Sequence, residues 1–150
     1  MIDKSFEASL EKNGYIVTEF RGTSMNPMLV QGRDKVFIKK ALPPLNRGDI
    51  ALYKRRDGSY ILHRVHKVYT STYAMLGDNH FTVEYGVPFG AVLGVVEGYY
   101  RGDKYIELAK SKSYKAYKFF WCTSIFGRRI LYFFKTVFSK IKKIFKKDKQ

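Results

Sequence analysis

The sequence predicts a mainly β protein, an antiparallel sandwich or barrel-like domain with a short N-terminal helix and a basic amphipathic C-terminal helix. Three observations predict it. Seven short runs rich in Tyr, Val, Ile and Phe fall between residues 15 and 108, turns built from Gly, Asp, Asn and Pro separate them, and from about residue 112 the apolar spacing becomes helical. With 150 residues and 45% hydrophobic content the chain can bury a core as a single domain, which excludes disorder as the main reading.

Residues 3–12 place Phe6 and Leu10 four apart, the spacing of a short amphipathic helix that stops at Asn13-Gly14. The strand runs follow as YIVTEF (15–20), KVFIKK (35–40), DIALYKR (49–55), YILHRVHKVY (60–69), YAML (73–76), VLGVVEGYY (92–100) and KYIEL (104–108). Between them lie Gly-Arg-Asp, Pro-Pro-Leu-Asn-Arg-Gly-Asp, Arg-Asp-Gly-Ser, Gly-Asp-Asn and Arg-Gly-Asp, all turn formers. The predicted β domain is 1–110 and the predicted tail 111–150. In that tail Phe126, Ile130, Phe134, Val137, Ile141, Ile144 and Phe145 recur at three- and four-residue steps, with Lys and Arg largely on the other side.

Charge divides the same way. Residues 1–110 carry 16 basic and 12 acidic groups, whereas 111–150 carry 12 basic groups and one acid, so the basicity is mostly a property of the tail. The lone Cys122 excludes a disulfide scaffold, and one Cys with three His excludes a zinc cluster at usual spacings, so the chemistry is expected to need no metal and no cofactor. The opening MIDKSFEASLEKNGY lacks the apolar core of a secretory signal. The most apolar stretch, 119–138, is broken by Arg128, Arg129 and Lys135, each costing roughly 2.5–3.5 kcal/mol at a bilayer centre, which disfavours a spanning helix.

Between the first two strands lies GTSMNPML (22–29). Here Ser24 stands in a turn whose exit Pro27 fixes, a placement that can expose a hydroxyl and leave a backbone N–H free for a substrate carbonyl. Three further boxes follow in order: Gly48-Asp49, Leu62-His63-Arg64-Val65 and Gly77-Asp78-Asn79.

Together the four boxes, spanning 22–98, resemble the superfamily of signal peptidases and self-cleaving phage repressors, and imply a signal-peptidase/LexA-like β fold. In that superfamily one branch uses a lysine as general base, while the endoplasmic-reticulum and archaeal signal peptidases use a histidine. His63 stands at this position, so the chain looks like the Ser-His branch. The resemblance implies Ser24 as nucleophile, His63 as base, and either Glu84 or Asp78 as the acid that orients the imidazole, with Glu84 slightly favoured although the family has aspartate there. It further implies an oxyanion hole from the Ser24 N–H aided by Thr23, with Met25 and Pro27 beside the substrate. Gly22 lacks the hydroxyl that some bacterial members place there. The substrate would be a leader or precursor peptide, cleaved after small residues and lying extended beside a strand. With an imidazole pKa near 6.5, activity is expected to fall on acidification through that value, and a flat profile from pH 5 to 8 argues against this mechanism.

Alternation along YILHRVHKV puts His63, Val65 and Lys67 on one face and Arg64 and His66 on the other, so His66 reads as a surface residue. Lys67 lies about 13 Å beyond His63, too far for a rival base. His80 reads as a turn residue.

Family members that process secreted precursors usually have an N-terminal span, which is not seen here. The cationic amphipathic segment 117–147 can replace it by lying on an anionic membrane surface, by default the cytoplasmic face. The bland alternative has Phe119, Phe126, Ile130 and Phe134 capping an open end of the β domain. Nucleic-acid binding is disfavoured, because the aromatics segregate from the charge instead of interleaving with it. Two rivals to the enzyme remain: a non-catalytic peptide-binding module of the same fold, and a membrane-surface or nucleic-acid-binding protein acting through the tail.

Overall fold

The computed structural model describes residues 5–123. The first element, α1 (Ser5–Asn13), buries Leu10 and packs Phe6 on the core, and it ends where Gly14 takes φ +77° and returns its N–H to the Leu10 carbonyl at 2.9 Å. Eight strands follow, β1 (Tyr15–Thr18), β2 (Asp34–Lys40), β3 (Ile50–Lys54), β4 (Tyr60–Val68), β5 (Thr72–Leu76), β6 (Glu84–Pro88), β7 (Val92–Arg101) and β8 (Lys104–Glu107). They form one antiparallel sheet in the order β1-β2-β7-β3-β4-β5-β6, with β8 paired to the far half of β7. Then α2 (Lys112–Thr123) begins. The chain divides into two compact units between Lys115 and Ala116.

β3 explains how one sheet organises two cores. All four residues 50–53 are buried, and they alternate: Ile50 and Leu52 join a cluster with Leu10, Met25, Leu29, Val36 and Val96, whereas Ala51 and Tyr53 join Val65, Tyr73, Met75 and Val87 on the opposite face. In β4 the same alternation sends His63, paired with Ala51, to the second face and Arg64, paired with Ile50, to the first.

Two expectations need correction. β6 is an eighth strand where seven were read, because Glu-Tyr-Gly-Val-Pro is poor in strand formers, carries Gly86 at φ +74° and buries only Val87; it is held as an edge strand by β5. Strict alternation along β4 also fails, since a bulge falls between Val65 and Lys67. His66 is accordingly half-buried, while Lys67 is exposed with its ammonium 5.0 Å from the Tyr69 ring.

Beyond Thr123 the predicted amphipathic stretch, including Phe126, Ile130 and the rest of 117–147, lies outside the described residues. Among the described residues no helix is long and apolar enough to cross a membrane.

Candidate active site

The loop after β1 is pinned at both ends. The Gly22 N–H donates to Gln31 Oε1 at 2.7 Å with Gly22 at φ +96°, and the Val30 N–H donates to the buried Asp34 carboxylate at 2.9 Å. Arg33 and Arg101 pair with the same carboxylate. Inside the loop two helical-type turns close through Asn26 N–H to Thr23 O and Leu29 N–H to Met25 O, and Met25 and Leu29 anchor it in the first core. Met25, 1% exposed, is thus a core side chain, whereas Thr23 and Pro27 are exposed and Ser24 is half-buried between them. The Ser24 N–H makes no backbone hydrogen bond among the described residues.

The second loop of the site, 77–79, is stitched to the first. The Asn79 N–H donates to the Ser24 carbonyl at 2.7 Å. Gly77 sits in the closest part of this contact, since a Cβ there would stand 2.8 Å from the Ser24 carbonyl oxygen and 3.1 Å from His63 Nε2. The main chain at Ser24 and the Nε2 edge of the His63 imidazole therefore flank one glycine. Among the described residues no hydrogen bond joins Ser24 Oγ to His63, and such contacts commonly tighten only with substrate bound.

The two candidate acids lie in different surroundings. Asp78 accepts two hydrogen bonds from Arg64, at 2.8 and 2.7 Å, and both side chains are fully buried. Arg64 also donates to the Gly48 carbonyl at 2.8 Å, and Gly48 and Asp49 exchange backbone hydrogen bonds with Val65, so this guanidinium ties three of the four boxes together. Glu84 is on the His63 side, yet it does not touch the imidazole. The Tyr53 hydroxyl stands between them, 2.6 Å from Glu84 Oε2 and 3.3 Å from His63 Nδ1, while Arg55 holds both carboxylate oxygens of Glu84. His80 is exposed but its ring meets that of His63 edge to face, 5.4 Å away.

Sequence reasoning missed Tyr53, Arg55 and the role of Gly77. Tyr53 was legible in part: in β3 it alternates onto the face of Ala51, the cross-strand partner of His63. Arg55 needed β6, which the sequence pattern did not reveal.

The electrostatics follow from this packing. Burial pushes the His63 pKa down to about 4; the nearby His80 and Arg55 push the same way, and Glu84 and Asp78 oppose them. Hydrogen bonds from Arg55 hold the Glu84 carboxyl below its ordinary value against the effect of burial, with Tyr53 adding to them. Burial, then the bond to Glu84, raises Tyr53 well above the ordinary phenol range, so its hydroxyl keeps its proton.

Beside Glu84 opens a cleft of about 810 Å³, walled by Tyr53, Arg55, Glu84 and Tyr85 over apolar Val87 and Leu93. It runs along the edge strand β6 and reaches Tyr53, not Ser24. Among the described residues no group of three or more His, Cys, Asp or Glu is placed to hold a metal ion.

Comparison with family models and with curated proteins returned no match to this chain.

Proposed function

We propose that the β domain is a serine endopeptidase of the signal-peptidase type, with Ser24 as nucleophile and His63 as general base. The observation that carries this reading is the meeting of the Ser24 main chain and His63 Nε2 around Gly77. Ser24 Oγ attacks the scissile carbonyl as its proton passes to Nε2; the tetrahedral oxyanion takes the Ser24 N–H, with Thr23 beside it; and His63 then protonates the leaving amine. Burial keeps the His63 imidazole neutral at neutral pH, so its lone pair is free for the first step, while the same burial lowers its basicity. Glu84 is the acid acting on His63, and Asp78 serves the scaffold through Arg64.

The substrate is an extended leader or precursor peptide. The sheet ends in the edge strands β1 and β6, and an extended chain of this kind can add to such an edge as a further strand; the cleft along β6 does not reach Ser24. The cationic segment 117–147 would hold the enzyme on an anionic membrane surface, where such precursors are presented.

Wild type, Ser24→Ala and His63→Ala proteins incubated with a diverse peptide library and anionic liposomes at pH 7.5, then read by mass spectrometry, test this. New peptide termini should arise with wild type alone. Cleavage that survives in either variant rejects the mechanism, and peptide capture without cleavage by all three favours the non-catalytic binding module.

A further inference from the structure

Tyr53 is fully buried on β3, diagonal to His63 on β4, and among the described residues its hydroxyl oxygen links that imidazole to Glu84. A phenol has one proton to give. Glu84, gripped by Arg55 on both oxygens, is an ionised carboxylate and accepts only. The short 2.6 Å contact therefore takes the Tyr53 proton, and what the same oxygen offers His63 Nδ1, 3.3 Å away, is a lone pair. Only an Nδ1 that carries a hydrogen can use it. The proton of the neutral imidazole is then on Nδ1, which leaves Nε2 bare on the side of Gly77 and the Ser24 loop.

We propose that Tyr53 is a positioning residue that fixes His63 in its Nδ1–H tautomer and couples it to the Glu84 carboxylate without direct contact between the two. The purpose of this arrangement rests on the peptidase reading; the tautomer itself does not. In the reaction the Ser24 Oγ–H bond breaks and an Nε2–H bond forms. The imidazolium keeps its Nδ1–H on Tyr53, and neither Tyr53 nor Glu84 changes protonation. Tyr53 thus occupies the place where a carboxylate would ordinarily orient the base, with the negative charge one residue further out. The longer reach of Glu84, in a strand at the sheet edge, is accommodated by the phenol between.

Nitrogen-15 NMR of the histidine side chains in the full-length protein at pH 7 reads the tautomer without any substrate, His66→Gln and His80→Gln variants identifying which signals belong to His63. Wild-type His63 should show a protonated Nδ1 and an unprotonated Nε2. In Tyr53→Phe, which keeps the ring and removes the acceptor, the Nδ1–H form should give way to a mixture or to Nε2–H. A wild-type His63 protonated on Nε2, or a tautomer unmoved by Tyr53→Phe, overturns the proposal; the wild-type spectrum decides alone should the variant not fold. With a peptide found to be cleaved, Tyr53→Phe should lower kcat roughly tenfold or more with KM unchanged. A rise in KM alone would count against it. Nδ1–H in a wild-type protein that cleaves nothing would reject the peptidase reading while leaving the tautomer assignment standing.

Discussion

Asp78 and Glu84 are both carboxylates near His63, and burial and partners sort their roles. Removing Asp78 leaves Arg64 charged, buried and short of two hydrogen bonds, so Asp78→Ala should cost about 3–5 kcal/mol of stability, read as a lower denaturant midpoint. Glu84 is partly exposed, and Glu84→Gln should leave the unfolding free energy within about 1 kcal/mol of wild type while depressing cleavage. Equal destabilisation by the two substitutions would contradict this division. The imidazole itself carries a pH prediction that differs from the one drawn from an unperturbed histidine. His63 ionises near 4 when folded and near 6.5 when unfolded, so between these values the unfolded chain binds the extra proton. Stability should rise with pH across that window, and about 3 kcal/mol should be lost on descending it. For the same reason the flat profile from pH 5 to 8 that would count against an unperturbed histidine is the one expected of the buried His63: kcat/KM should be level there as far as His63 decides it, and drop below about pH 5, where a base at 6.5 would already have failed.

At the scale of elements, the site depends on two loops closing over a glycine. Gly77→Ala would push a methyl against the Ser24 carbonyl, which is backbone and cannot swing away. The Ser24 loop or the Asn79 hydrogen bond must shift; we expect cleavage to be lost and stability to fall by roughly 1–3 kcal/mol, seen as a lower Tm. Near-wild-type activity in this variant would mean that the contact does not serve the site. These loops also show what was readable beforehand. Seven strands and the helix at Leu10 were visible because their apolar periods are clear and their turns are rich in Gly, Asp and Pro. β6 was not, since an edge strand that buries only Val87 has no periodic signal to display. The bulge in β4 was likewise hidden, because alternation assumes an unbroken ladder. Ser24 and His63 stood out by the boxes around them, but the phenol that links His63 to Glu84 is an ordinary strand tyrosine until β3, β4 and β6 are assembled.

Across the whole molecule, most of the net positive charge and the proposed site occupy different parts of the chain. The proposed site lies wholly within the unit ending at Lys115, whereas 111–150 carries 12 basic residues against one acidic. A variant ending at Lys115 keeps Tyr114, which donates to the Gly48 carbonyl and lies beside Arg64. That variant should fold, cleave a soluble peptide as wild type does, and lose its binding to anionic vesicles in a sedimentation assay, with wild-type binding weakening as salt is raised. Loss of cleavage on the soluble peptide would instead place the function in the tail.

The central claim is that Ser24 is a nucleophile served by His63, and a covalent intermediate tests it most directly. Intact-mass spectrometry of protein acid-quenched during turnover of a cleaved library peptide should find an acyl group on Ser24 in wild type and none in Ser24→Ala or His63→Ala. An acyl group on any other residue, or peptide cleavage that continues in either variant, would contradict the account.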